Sequence, residues 1–330
     1  MGEIKKAALI GGGVIGGGWA ARLLWHGVDV TVCDPHPETE RRLRDILADA
    51  EPALQRLYRS SNTLSGNLAF VTDIKSAVHG TDYIQESAPE REDLKRSLLA
   101  EIDAHCPPDA LICTSTSGLL PTRLQKDMQR PERFMVGHPF NPVYLLPLVE
   151  ICGGEKTQQI HMDRAAAFYA SIGMKPLKLR KEIDGFIADR LMEALWREAL
   201  WLVNDDVATV EEIDDAIRYG PGLRWAQMGT FQVYRLAGGE EGFRHFMAQF
   251  GPTLSLPWTK LMDVPEMTDA LIDKMSDQSD DQARGASVRE LATKRDANLI
   301  GIMHALQAQD FGAGALLNDN DNGATKGSRP

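Results

Sequence analysis

Two stretches of this chain carry residue types at spacings that can do chemistry. The first reads Ala7-Ala8-Leu9-Ile10-Gly11-Gly12-Gly13-Val14-Ile15-Gly16: a short apolar strand, three glycines, then the apolar start of a helix. Gly11, Gly13 and Gly16 fit the G-x-G-x-x-G spacing, with Gly12 in the free position. In such a turn one glycine permits the sharp bend, the next lets a pyrophosphate approach the backbone, and the third lets helix pack on strand. The helix start at Val14 and Ile15 presents N–H groups to the negative charge. Asp34, closing the next apolar run, lies near the offset of about 20 residues at which a carboxylate grips the adenosine ribose hydroxyls. It would repel a 2′-phosphate, and Pro35-His36 places no arginine beside it, so NAD is favoured over NADP. A glycine-rich turn alone says little; the strand before it, the helix after it and the acid beyond make it specific.

The second stretch is Gly137-His138-Pro139-Phe140-Asn141-Pro142, followed by Leu148-Val149-Glu150. A histidine leaving a strand into a proline-restricted turn is held in one place. A secondary alcohol does not lose hydride readily while its oxygen keeps its proton, and a neutral imidazole can take that proton as the hydride departs. A carboxylate that fixes the tautomer and stabilises the imidazolium improves such a base, and Glu150 is the candidate. The plain alternative is a histidine that only holds a turn together. The dinucleotide pattern beside it favours the catalytic reading.

Both stretches need a frame that brings them to one edge. Short apolar runs at residues 7–10, 29–33, 68–71, 83–86, 110–113 and 134–136 alternate with helical stretches. That alternation predicts an α/β fold: a Rossmann-type, doubly wound, mostly parallel sheet with right-handed crossovers. Ligands then bind beyond the carboxyl ends of the strands, where Gly13, Asp34, Glu86, Ser115 and His138 fall. Further strands are expected at 148–152 and 176–179. From Gly185 the pattern turns to nearly continuous helix. A NAD-binding domain over residues 1–184 and a helical domain over 185–317 are therefore expected. The tail 318–330, rich in Asn, Asp, Gly and Ser, is expected to be disordered.

Composition narrows the partners. A net charge of −11 without a long basic run speaks against nucleic acid. Cys33, Cys106, Cys113 and Cys152 form no C-x-x-C pair, which speaks against a zinc site or a disulfide framework and for reduced thiols in a cytoplasmic protein. No apolar run reaches membrane-spanning length and no signal peptide precedes the first strand, so no membrane partner is expected.

Taken together, the Gly137–Pro142 stretch with Leu148-Val149-Glu150, Thr114-Ser115-Thr116-Ser117-Gly118-Leu119 and Gly185-Phe186-Ile187-Ala188-Asp189-Arg190 resemble the 3-hydroxyacyl-CoA dehydrogenase superfamily. The resemblance covers nearly the whole chain. Within the superfamily, Gln85-Glu86-Ser87-Ala88-Pro89-Glu90-Arg91, Leu195-Trp196-Arg197-Glu198-Ala199-Leu200 and Met228-Gly229-Thr230-Phe231 look most like the carnitine 3-dehydrogenases. The resemblance implies an NAD-dependent oxidation of the 3-hydroxyl of L-carnitine, a small-molecule substrate, by a homodimer built through the helical domain. By position it puts the catalytic pair on His138 and Glu150 and the hydroxyl-binding serine on Ser117. Glu86, Glu90, Lys95 and Ser115 join Gly11, Gly12, Gly13, Val14, Ile15, Gly16 and Asp34 as cofactor candidates.

One position departs from the pattern. Asp189 stands where the acyl-CoA enzymes usually carry asparagine. An amide can donate to an acyl carbonyl, whereas an ionised carboxylate only accepts and suits a nearby cation; a local pairing with Arg190 would explain it as well. A quaternary ammonium donates no hydrogen bond and is held by aromatic faces, for which Phe140, Tyr144, Trp196, Trp225, Phe231 and Tyr234 are candidates. Arg224, Ser117 and a backbone N–H are the candidates for the substrate carboxylate. The arginines of residues 37–58 read as a solvated helix face or as a clamp for CoA phosphates. A short-chain 3-hydroxyacyl-CoA dehydrogenase, a gulonate-type dehydrogenase and a crystallin-like NAD-binding protein are the other readings.

Overall fold

The structure, a computed structural model, describes residues 4–226, 229–237, 242–250, 256–257, 259, 266, 268–271, 273–274, 284–286 and 288–324. The chain forms two compact units, one from Met1–Asp189 with Leu316–Pro330 and one from Arg190–Ala315.

The first unit is built on eight strands: β1 (Lys6–Ile10), β2 (Asp29–Cys33), β3 (Leu68–Val71), β4 (Tyr83–Glu86), β5 (Leu111–Thr114), β6 (Phe134–Pro139), β7 (Leu148–Gly153) and β8 (Lys175–Lys178). They lie in one sheet in the order β3-β2-β1-β4-β5-β6-β7-β8. Every neighbouring pair is parallel except β6 and β7, which run antiparallel. Helices α1 (Val14–Trp25), α2 (Thr39–Leu57), α3 (Ile74–Val78), α4 (Glu92–His105), α5 (Pro121–Leu124) and α6 (Gln159–Ser171) connect the strands. A parallel strand covered on both faces reads as a continuous apolar run, and β1, β4 and β5 are buried along nearly their whole length. The strand order reverses between β1 and β4, which opens a crevice above their carboxyl ends.

Two expectations change. The strand expected at 134–136 continues through His138 to Pro139, because pairing with β5 ends at Val136 whereas β7 returns alongside and pairs as far as Pro139. The tail expected to be disordered from residue 318 is helical in its first part: a helix spans Gly312–Ala324, anchored by the buried Leu317, while residues 325–330 lie outside the described residues.

Helix α7 (Ala188–Asn204) leads into the second unit, which continues through helices Val210–Arg218, Pro221–Trp225, Thr230–Ala237, Gly242–Phe250 and Val288–Gln307. Residues 266–275, part of the stretch expected to be nearly continuous helix, fall partly outside the described residues. Among the described residues no helix is long and apolar enough to cross a membrane.

Candidate active site

The glycine turn lies between the end of β1 and the start of α1. Gly11 adopts φ of 102°, a conformation open to glycine, and a Cβ there would stand 2.8 Å from the carbonyl oxygen of Ser87. A Cβ on Gly16 would meet the Gly11 carbonyl oxygen at 2.0 Å, so helix and turn pack at a distance only glycine allows. Gly13 faces open space. The Asp34 carboxylate accepts from the Gly12 amide and from the His36 amide, both at 2.8 Å, which fixes it at the end of β2. Beside this turn lies a cavity of about 770 Å³ lined by Gly11, Gly13, Asp34, Ser87, Ala88 and residues of α3 and α4. A glycine cradle with room over Gly13 offers backbone N–H donors to a pyrophosphate, and the carboxylate at one end offers acceptors to ribose hydroxyls, as a dinucleotide needs.

The second centre follows from strand pairing. In the antiparallel register of β6 and β7, His138 and Glu150 are direct partners, so their side chains leave the same face of the sheet. The Nδ1 of His138 lies 3.1 Å from Glu150 Oε2. Both side chains are buried. The other carboxylate oxygen of Glu150 accepts from the amides of Ile187 and Ala188, each at 3.0 Å, at the start of α7. These two amides fix the carboxylate at the start of α7. A carboxylate only accepts, so Nδ1 carries the proton and Nε2 is left with its lone pair outward. The chain turns into α7 through Gly185 and Phe186, at φ of 70° and 50°. Phe186 is held in this uncommon conformation by full burial among Val136, Cys152 and Leu179 and by contact with the imidazole, ring centres 5.7 Å apart.

Asp189, in the first turn of α7, places Oδ2 3.6 Å from His138 Nε2. The imidazole thus has a carboxylate facing each nitrogen. Phe140 packs edge-on against the same ring at 4.7 Å. Ser117 is exposed on the loop after β5, its amide held by Glu90 at 3.1 Å. That loop runs beside the α7 turn, since a Cβ on the adjoining Gly118 would lie 4.0 Å from the Gly185 nitrogen.

Several expected contacts sit elsewhere. Glu86 and Lys95 are buried and bonded to each other at 2.9 and 3.1 Å; Glu86 also accepts from Thr114 and the Ala88 amide, and Lys95 donates to the Ala88 carbonyl. This pair braces the β4 end rather than facing the crevice. Glu90, half-exposed, is the carboxylate of the group that does face outward. The Ser115 hydroxyl is turned inward to Trp19, Gln85 and Ser87. Tyr144 is buried. In the second unit Trp196 lines a 220 Å³ cavity with Leu200, Val203 and Ile213, while Arg224, Trp225, Phe231 and Tyr234 are exposed there. Arg41 and Arg44 of α2 pair with Glu38, Asp45 and Glu40 of their own segment, as a solvated helix face does. Sequence reasoning did not single out the amides of Ile187 and Ala188 as partners of Glu150. The glycine ahead of Phe186 was the one local sign of a turn there.

Residues 6–183 match the family described as 3-hydroxyacyl-CoA dehydrogenase, NAD binding domain, and residues 185–271 match its C-terminal domain. The chain is 58% identical over 324 residues to a Mesorhizobium japonicum protein named L-carnitine dehydrogenase, covering 97% of this chain and 89% of that one. It is 56% identical over 323 residues to a Rhizobium meliloti protein named L-carnitine dehydrogenase/betainyl-CoA thioesterase, of whose length it spans 65%. A solved structure of a 5-formyl-3-hydroxy-2-methylpyridine 4-carboxylic acid 5-dehydrogenase, an NAD+ dependent dismutase, superposes with a TM-score of 0.76 at 28% identity, covering 92% of this chain and 98% of that one.

Proposed function

The chain belongs to the 3-hydroxyacyl-CoA dehydrogenase family, and from that premise we propose that it oxidises the 3-hydroxyl of L-carnitine to 3-dehydrocarnitine with NAD. The observation that carries the reading is the imidazole of His138 with Glu150 on one nitrogen and Asp189 on the other. NAD, when bound, supplies the acceptor for the hydride. His138 Nε2 takes the proton of the substrate hydroxyl, and Glu150 holds the tautomer and stabilises the imidazolium that results. The Ser117 hydroxyl binds the substrate oxygen. An alcohol O–H beside Nε2 gives its lone pair the donor that Asp189 cannot supply. The trimethylammonium, one carbon from the reacting centre, then lies within reach of the Asp189 carboxylate and the ring of Phe140. The protein acts as a homodimer. Support comes from Leu191, Met192, Leu195 and Trp196 of α7, four large apolar side chains that are each about half exposed or more.

The test is NADH formation, followed by absorbance, with L-carnitine, D-carnitine, L-gulonate and 3-hydroxybutyryl-CoA in parallel. Turnover of L-carnitine above the other three is the expected result. Turnover of the thioester or of gulonate alone would overturn the substrate and leave the base chemistry standing.

A further inference from the structure

At the inner end of the cofactor cavity lies a buried polar chain that the hydride chemistry does not use. Gln85 on β4 is fully buried. Its Nε2 stands 3.1 Å from the carbonyl oxygen of Gly137, which can only accept, and this orients the amide. Its Oε1 then receives the hydroxyls of Tyr83 and Tyr169. The same Nε2 donates to Ser115 Oγ at 2.6 Å, and the indole Nε1 of Trp19, a donor only, reaches Ser115 Oγ at 3.2 Å. A serine hydroxyl has two lone pairs and one proton. Both lone pairs of Ser115 are taken, so its proton goes to Ser87 Oγ, 2.9 Å away. Ser87 accepts there, and its own proton is directed elsewhere. Ser87 closes β4 against Gly11 and lines the same cavity as Gly11, Gly13 and Asp34.

We propose that Ser87 is a further dinucleotide contact, its hydroxyl set as a donor toward an oxygen of NAD at the glycine turn. Trp19, Gln85 and Ser115 are positioning residues that act through it: each step of the chain fixes the direction of the next, and a donor already oriented loses less freedom on binding. The proposal rests on the assignment of this cavity to NAD.

Calorimetric titration of the full chain with NAD, alongside thermal melting, tests it in wild type, Ser87→Ala, Ser87→Thr, Ser115→Ala and the Ser87→Ala/Ser115→Ala double variant. Loss of the donor weakens NAD by about 5- to 10-fold in Ser87→Ala, the usual weight of one hydrogen bond. Ser87→Thr, which keeps the hydroxyl, stays within about 2-fold of wild type. Ser115→Ala also weakens binding, and the double variant binds no worse than Ser87→Ala, as expected if Ser115 works through Ser87. Wild-type affinity in Ser87→Ala would overturn the contact. Additive losses in the double variant would overturn the relay. A wild-type protein that takes up no NAD would remove the cofactor assignment beneath both.

Discussion

At the scale of single residues, the chemistry rests on what each nitrogen of His138 can see. Glu150, fixed in place by two amides, accepts from Nδ1–H and leaves Nε2 as the base. Replacing His138 with Gln keeps a polar side chain of similar reach and removes proton transfer. We expect kcat to fall by about 10²- to 10⁴-fold while NAD affinity, read by titration, stays at the wild-type level. Asp189 is a matter of charge more than of shape. Asp189→Asn keeps the volume and removes the anion. It should lower kcat/KM for L-carnitine by roughly 10-fold, about 1.4 kcal/mol, and spare an uncharged 3-hydroxy acid. Equal losses on both substrates would show that Asp189 serves the imidazole and not the cation.

At the scale of elements, the parts that were legible in the sequence are those whose signal is local. The turn after β1, the acid after β2 and the eight strands announce themselves by glycine spacing and apolar runs. The pairing of His138 with Glu150 was legible as chemistry, but not as register. Gly137 and Pro139 read as strand breakers, and only the return of β7 makes them part of β6. Burial of charge was not legible either. Glu86 on β4 and Lys95 on α4 look like any acid and base near a ligand edge, and three-dimensional packing alone puts both in the interior. That pair carries its own prediction. Lys95→Met removes the cation that faces Glu86 in the core, and urea unfolding should show a loss of about 3–5 kcal/mol. A loss below about 1 kcal/mol would mean that water reaches the pair. The last helix was missed because Asn, Asp and Gly in residues 318–324 outweighed the apolar Leu316-Leu317 that anchors it.

At the scale of the whole molecule, stability and assembly can be separated by pH and by surface charge. His26, at the C-cap of α1, is pushed down to about 3 by burial and by the neighbouring Arg22, and its Nε2 has no partner. A base held neutral by the fold is protonated more readily once unfolded. Its contribution is therefore complete above its ordinary value of 6.5 and is lost as pH falls from there toward 3. Melting temperature should drop between pH 7 and pH 5, before the exposed carboxylates titrate, and His26→Gln should flatten that slope. Assembly is tested on α7: wild type should sediment as a dimer, and Leu191→Glu with Leu195→Glu should sediment as a monomer. A wild-type monomer would refute the assembly.

The short segment between His138 and Glu150 has one more property. Its two ends are tied by strand register, and its middle is tied by Arg22, which donates to the carbonyls of Val143 and Leu146 from inside α1. Deleting one residue within either strand would turn one catalytic side chain to the opposite face. Deleting one between them would pull the loop off its arginine. The interval is in effect a ruler, and an altered count along it should cost more activity than an altered letter.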